Sequence, residues 1–239
     1  MELDMENNLN KNKYEKSRVT DVKRLVGMAM FAALAYVVGF ATSWAKIAHL
    51  TFDAKDAIIT LAAFIYGPVS AIVISFITAL IETLTLTLTV TFWHGFLMDF
   101  ASSATFALVA SLVYKKKRSF NGAILGFALA SVFTTAVMLG LNILMTPLYM
   151  KQLGVPMDAK GVIKQIPTLL LPFNFAKALM NSAIAMVLYK PLSQAMRRAG
   201  LVKGEVNMRF NKQSVYLLVI AAVAAVLAIV LFIITKSMN

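Results

Sequence analysis

The sequence predicts an all-α membrane protein, a bundle of six helices followed by one extra C-terminal transmembrane helix. Hydrophobic residues make up 59% of the 239 positions and charged residues only 14%, too few charges to cover the surface of a soluble domain. Apolar runs of about 20 residues, the length needed to cross a bilayer, recur along the chain. The protein is therefore expected to be surrounded by lipid.

The chain begins with a polar, basic tail over residues 1–24, and an apolar run over 25–44 follows it. The tail has no apolar region ahead of a small-residue cleavage site, so we expect no removable signal peptide and a cytosolic amino terminus. We expect the run over 25–44 to be the first transmembrane helix, with Trp44 in the aromatic belt at the membrane surface.

The second apolar run, residues 57–66, is unusually short. As a helix it would reach about 15 Å, whereas the hydrocarbon core is about 30 Å thick. Gly67 and Pro68 follow it and predict a tight cytosolic turn into the next helix. The preceding segment, 45–56, is too polar to face lipid. Because irregular backbone is tolerated at membrane depth only inside protein, we predict that this loop dips into the outer half of the bundle.

The remaining apolar runs complete a predicted six-pass bundle over residues 25–190, followed by a basic cytosolic linker over 191–213. The runs cover 69–88, 96–114, 122–147 and 167–189, and the additional helix is predicted over 214–235. Most of the 23 Lys and Arg residues lie in the tail, in the loop 115–118 and between residues 190 and 212. These segments fall on one side of the membrane if the short run counts as a pass, which agrees with the positive-inside rule.

The segment from Thr83 to Thr91 alternates threonine with aliphatic residues, a period typical of a strand. One interpretation is a helix whose threonine hydroxyls bond back to the preceding turn. The other is that the third helix ends early and an extended loop follows. Both interpretations remain open at the level of sequence.

Ionisable and amide residues within the predicted spans indicate a site, because such residues are costly in a membrane. They are Glu82, Asp99, Asn142, Asn174 and Lys177, and the predicted topology brings all of them to the outer leaflet. Asn174 and Lys177 share one helix face at i, i+3 spacing. Glu82 and Asp99 would also suit contact with headgroup water, and Asn142 an interhelical hydrogen bond. Lys177 requires a partner or a polar ligand.

The sequence carries no motif for catalysis. It lacks a Gly-rich phosphate loop, a nucleophile elbow and a zinc-binding helix, so we expect a non-enzyme without ATPase machinery of its own. Cysteine is absent and only two histidines are present, which indicates no metal site. The net charge of +12 lies in membrane flanks, and we therefore expect the lipid bilayer and not nucleic acid as a partner.

Three segments resemble the S components of energy-coupling-factor (ECF) transporters, and most closely the riboflavin-binding members. They are LTFDAKDAIITLAAFIYGPVSA at 50–71, LNILMTPLY at 141–149 and LPFNFAKALMNSAIAMVLYKPL at 171–192. The resemblance spans about residues 22–200. It implies a six-helix substrate-binding bundle in the bacterial cytoplasmic membrane, with a first outer loop that closes over the ligand.

The resemblance also implies site residues. Asn142, Asn174 and Lys177 match the polar residues that hold the vitamin, and an asparagine, both donor and acceptor, suits the imide edge of a flavin. Glu82 and Asp99 are added as candidates because they lie at the same end. The implied gating-loop residues are Leu50, Phe52 and Asp53. Riboflavin is expected as a transported ligand, with no resident cofactor.

The coupling partner is implied by the first helix. Its Ala29 and Ala33 match an Ala-x-x-x-Ala pattern that meets a transmembrane coupling subunit, and Gly27 and Ala32 extend the run of small residues. Small residues four apart let helices approach closely. The implied transporter contains that coupling subunit and two ATPases, and the S component topples to release its cargo inside.

Three alternatives remain open. The riboflavin-binding members often carry a Lys-Asn pair on the third helix, where this chain has Thr78 and Ala79, so the ligand could be another vitamin or a nucleobase-like precursor. An ion-driven secondary transporter would work without ATPases, but we find no inverted repeat. An intramembrane enzyme would need an acid, a base and a nucleophile together.

The additional helix is expected to be a membrane anchor or a partner-facing helix.

Overall fold

The computed structural model describes every residue except 1, 49, 87–91, 118–119, 156, 199–211 and 238–239. Eight α-helices, one β-hairpin and a short π-helical segment are present in this described part. In chain order they are α1 (Glu2–Thr42), β1 (Ala45–Ile47), β2 (Leu50–Phe52), α2 (Lys55–Tyr66), α3 (Pro68–Leu86), α4 (Phe92–Lys116), α5 (Phe120–Gln152), α6 (Ala159–Lys164), the π segment (Ile166–Leu170), α7 (Leu171–Arg198) and α8 (Lys212–Ser237).

The helices confirm the prediction of a multi-pass, all-α membrane protein. Within the described residues, five helical stretches are long and apolar enough to cross a membrane, and they cover Asp21–Thr42, Pro68–Thr85, Trp93–Lys116, Asn121–Gln152 and Ile166–Tyr189. Helix α8 contains a shorter apolar stretch, Val219–Thr235. Helix α1 begins well before the predicted span, and α7 continues into the predicted linker as far as Arg198.

Helix α2 is the short central element of the bundle. It has 12 residues, close to the predicted short run, and it packs against α1, α3, α4 and α7. Its residues from Lys55 to Ala63 are all buried, as expected for a helix enclosed on every side. Gly67 ends it with φ 98°, a left-handed conformation that favours glycine, and Pro68 opens α3.

The loop between α1 and α2 forms a β-hairpin, the one β structure among the described residues. Strands β1 and β2 are antiparallel, and Ala45 pairs with Phe52 and Ile47 with Leu50. Ile47 and Leu50 are buried, and so are Asp53 and Ala54 directly after the hairpin. The loop therefore enters the bundle, as predicted, and fills the depth that α2 is too short to cover.

The threonine-rich segment is helical as far as the structure describes it. The Thr83 hydroxyl donates to the Ala79 carbonyl and the Thr85 hydroxyl to the Ile81 carbonyl, both at 2.7 Å. This is the back-bonding of the helical interpretation, which is confirmed up to Leu86, where α3 ends. Residues 87–91, the rest of the alternating segment, lie outside the described residues.

Helix α8 packs along α7. Ala221 and Ala228 are almost completely buried, and these small side chains let the two helices approach closely. Near its end, α8 brings Phe232 against Phe52 of β2, with ring centroids 5.2 Å apart. The end of α8 and the hairpin therefore lie at the same end of the bundle.

Candidate functional site

A cavity of about 460 Å³ opens at the hairpin end of the bundle. Side chains from the hairpin, α3, α4, α5 and α7 line it. Six of the eight predicted site residues are among them, namely Leu50, Asp53, Glu82, Asp99, Asn174 and Lys177. Tertiary packing thus brings together residues that lie far apart in sequence, as the predicted topology requires.

The other two predicted residues lie beside the cavity. Asn142 is fully buried in α5. Its amide donates to the Met138 carbonyl at 2.7 Å, and its carbonyl oxygen accepts from the Thr146 hydroxyl at 3.0 Å. Met138 itself lines the cavity, so Asn142 supports the wall one turn away. Phe52 packs edge to face against Phe173, which also lines the cavity.

Helix α7 fastens the loop to the bundle with one polar face. The Lys177 ammonium donates to Asp53 Oδ2 at 2.6 Å. One turn further on, the Asn181 amide donates to the Asp53 backbone carbonyl at 2.9 Å, and its oxygen accepts from the Ala57 backbone N–H at 2.9 Å. Asn181 thereby satisfies a free N–H in the first turn of α2. The predicted need of Lys177 for a partner is met by Asp53.

The carboxyl of Asp53 is held in its charged form by this arrangement. Burial raises its pKa, but the ammonium groups of Lys177 and Lys55 outweigh burial and bring the pKa below its usual value. Opposite charges within a few ångströms favour the ionised form of a carboxyl. Asp53 and Lys177 therefore form an ion pair that joins the end of the hairpin to α7.

A second lysine, Lys55, forms a further ionic centre at the start of α2 and shares Asp53 with the first. Its ammonium lies 2.5 Å from Glu82 Oε2 on α3 and 2.5 Å from Asp99 Oδ1 on α4. It is also 3.9 Å from Asp53 Oδ2. The side chain is only 1% exposed, so Lys55 neutralises two carboxylates that would otherwise repel each other inside the bundle. Glu82 and Asp99 are thus bridged within the protein.

Carboxylates outnumber lysines in this part of the bundle. The four acids are Asp53, Asp56, Glu82 and Asp99, and the three lysines are Lys46, Lys55 and Lys177. The Asp56 carboxylate accepts from the Ser103 hydroxyl at 2.5 Å, which stabilises this further buried charge. Lys55 and Lys177 are engaged in ion pairs, and Lys46 is a further lysine in the cavity lining. A ligand would therefore meet acceptors as well as donors.

Several buried polar atoms of the cavity lining have no hydrogen-bond partner within the described part of the chain. They are Asp53 Oδ1, Asp99 Oδ2 and His94 Nδ1, all on residues that line the cavity. Leaving such atoms unpaired costs about 1 to 3 kcal/mol each. Water or a ligand with matching donors would satisfy them.

Sequence reasoning missed Lys55, Asp56, Asn181 and Ser103. Lys55 directly precedes an apolar run, in a segment predicted to enter the bundle. A lysine and an aspartate at that depth are themselves a signal of a buried polar network. Asn181 continues the i, i+4 spacing from Lys177, so the shared helix face would have revealed it.

The predicted coupling residues lie on the outer face of α1. Ala29 and Ala33 are both exposed, as an interface with another helix requires. Gly27 and Ala32 are buried instead, and Gly27 packs directly against the Tyr66 side chain. These two small residues therefore pack inside the bundle, and the predicted coupling surface is left with Ala29 and Ala33.

Comparisons with known proteins identify the family. Residues 23–189 match the family model described as ECF transporter, substrate-specific component. The riboflavin transporter RibU of Staphylococcus aureus (strain TCH60) is 29% identical over 190 residues, which are 78% of this chain and 99% of that protein. A solved structure of the S component of a bacterial ECF transporter is 30% identical, with a TM-score of 0.60, and the match covers 74% of this chain and 99% of that one.

The family model covers most of the chain and includes every predicted site and coupling residue. A member of this family works with the membrane and ATPase modules of an ECF transporter and carries a small-molecule vitamin. It is a transport protein of the cell membrane and not an enzyme. The chain belongs to the substrate-specific components of ECF transporters, and RibU is among its relatives.

Proposed function

We propose that this chain captures riboflavin at the outer face of the bacterial cytoplasmic membrane and delivers it to the cytosol through a transmembrane coupling subunit driven by two ATPases. The observation that carries the proposal is the cavity at the hairpin end, where Asn174 and Lys177 of α7 face Asp53 of the loop. Similarity to a riboflavin transporter over most of the chain supports the choice of ligand.

The cavity suits the chemistry of riboflavin. Phe173, Met138 and Leu50 line it and offer apolar surface to a flat tricyclic ring. Asn174 can both donate to and accept from an imide edge. The unpaired oxygens of Asp53 and Asp99 can accept hydrogen bonds from the hydroxyl groups of a ribityl chain. A neutral ligand with several donors therefore matches the acidic lining.

In the proposed cycle, the hairpin acts as the lid. With the amino terminus in the cytosol, the hairpin end faces outward, and the Asp53–Lys177 ion pair holds the lid on α7. Ligand enters while this pair is open and is retained when it closes. Docking through the exposed Ala29 and Ala33 of α1 then allows the coupling subunit to tilt the bundle and release the cargo inside.

The direct test is ligand binding to purified full-length protein. We expect a yellow preparation with flavin absorbance, and we expect riboflavin to raise the thermal unfolding temperature more than any other member of a vitamin panel. The panel includes thiamine and a free nucleobase. Thiamine is a cation, which the excess of carboxylates at the cavity would accommodate. If another compound stabilises the protein and riboflavin does not, the assignment of riboflavin as the ligand is wrong, and the family assignment is unaffected.

A second measurement separates this mechanism from ion-driven transport. Riboflavin uptake into proteoliposomes should require the coupling subunit, both ATPases and ATP. Uptake by this chain alone in response to a proton or sodium gradient would contradict the proposal.

A further inference from the structure

The C-terminal helix α8 lies outside the part of the chain that resembles the family. The family model ends at residue 189, and α8 begins at Lys212. The matched relative and the matched structure are each covered over 99% of their length while leaving about a quarter of this chain unmatched. The bundle shared with those proteins therefore ends before α8.

From the packing of this helix, we infer that α8 is a positioning element of the ligand site, and that its Phe232 holds the lid closed through Phe52. The inference rests on the proposed role of the hairpin as a lid. Phe232 does not touch the ligand in this arrangement but acts through Phe52 and Phe173.

Three aromatic rings connect α8 to the cavity wall. The Phe232 and Phe52 rings meet at 71° with centroids 5.2 Å apart. The Phe52 ring then meets Phe173 at 88° and 6.1 Å, and Phe173 lines the cavity. Edge-to-face pairs of this kind are attractive beyond the area they bury. Phe52 is thus held between one ring of α8 and one ring of α7.

The position of Phe52 makes this contact relevant to ligand exchange. It is the last residue of β2 and directly precedes Asp53, whose carboxylate pairs with Lys177. A movement of the hairpin away from α7 must separate Phe52 from its aromatic partners as well as break the ion pair. Phe232 therefore adds to the barrier for lid opening, while it leaves the polar contacts of the cavity unchanged.

Helix α8 is anchored well enough to serve as a fixed support. Ala221 and Ala228 are buried against the bundle, and Ala224 and Ala225 pack on its apolar core. Phe232 itself packs on the cluster of buried residues around Ile47, Leu50 and Phe173. The helix is thus attached from Ala221 to Phe232, and Phe232 near its end is in contact with the lid.

The test is Phe232→Ala in the full chain, read out first without ligand. Amide hydrogen exchange of residues 50–54 should become about two- to tenfold faster, the range expected for loss of one aromatic pair. If the alanine variant does not fold, Phe232→Leu takes its place. It keeps much of the side-chain volume and should change the exchange rate in the same direction but by less. Ile233→Ala, on a side chain that is 60% exposed, is the matched control and should leave exchange unchanged.

The second readout is the rate of riboflavin dissociation, which is measured by the recovery of flavin fluorescence. Phe232→Ala should raise the dissociation and association rates by similar factors, so that the equilibrium affinity changes less than either rate. In a Phe52→Ala background, Phe232→Ala should have little further effect, because the two residues act through one contact. Unchanged exchange in Phe232→Ala, or fully additive effects of the two substitutions, would overturn the inference.

Failure of the lid inference and failure of the proposed ligand are distinguishable. If the unmodified protein does not bind riboflavin but Phe232→Ala still speeds exchange at residues 50–54, the contact holds the lid and the ligand assignment is wrong. If riboflavin binds and neither exchange nor dissociation responds to Phe232→Ala, the ligand stands and α8 has no role at the lid.

Discussion

The two ionic centres at the hairpin end are built from the same residue types but have different surroundings. Lys55 is 1% exposed and lies between two carboxylates from α3 and α4. Lys177 is 12% exposed and pairs with one carboxylate from the loop. The first centre joins helices to one another, and the second joins a helix to the lid. Burial therefore distinguishes a lysine enclosed between helices from one that lines the cavity.

The largest expected effect is on stability, from Lys55→Met. The substitution leaves Glu82 and Asp99, whose side chains are 15% and 19% exposed, near each other without a countercharge. We expect a loss of about 3 kcal/mol of unfolding free energy, the lower end of the range for breaking a buried ion pair. Thermal unfolding in detergent measures this loss. The matched control is the triple variant Lys55→Met, Glu82→Gln, Asp99→Asn, which should recover much of the stability because no unpaired charge remains. Equal stability of Lys55→Met and the unmodified protein would show that the two carboxylates do not depend on this lysine.

The next effect is on binding, from Lys177→Ala. It removes the ion pair with Asp53 and a donor from the cavity, and we expect riboflavin affinity to fall by about 1 to 3 kcal/mol. Fluorescence titration measures the affinity. The unfolding temperature of the ligand-free Lys177→Ala protein should fall less than that of Lys55→Met. Lys164→Ala, on an exposed residue, is the control. The comparison between the two centres fails if Lys177→Ala lowers stability as much as Lys55→Met does.

Asn142→Ala should have a smaller effect. Its side chain bonds to Met138 and Thr146 within α5, so the substitution loosens the cavity wall, and we expect riboflavin to bind about 1 kcal/mol more weakly. The same titration, with the exposed Asn121→Ala as control, measures the difference. A loss as large as that of Lys177→Ala would mean that Asn142 meets the ligand directly.

The smallest effect on the site should come from Ala29→Trp. Ala29 is exposed on α1, away from the cavity lining, and we expect binding to change by less than about 0.5 kcal/mol. Uptake by the assembled transporter should be lost, because a bulky ring prevents the close approach of helices. Val132→Trp, on an exposed residue of α5, should preserve both. Normal uptake by Ala29→Trp would contradict the proposal that α1 is the coupling surface.

Much of this architecture could be predicted from local patterns. The short run at 57–66 and the Gly67–Pro68 turn predicted a helix too short to span and a loop that enters the bundle. The shared face of Asn174 and Lys177 predicted one wall of a site. The role of Lys55 could not be read in the same way. Its place in a loop predicted to enter the bundle indicates burial, but no local pattern identifies Glu82 and Asp99 as its partners.

Hydrophobic run lengths, turn residues and helical spacing determined the membrane class, the number of long helices and the end of the bundle where polar residues collect, since these depend on residues only a few positions apart. The tertiary structure decided the partners. Lys55 meets Glu82 across 27 positions and Lys177 meets Asp53 across 124, and α8 reaches the lid through Phe232. Such pairs depend on how whole helices pack, which periodicity along one helix does not encode.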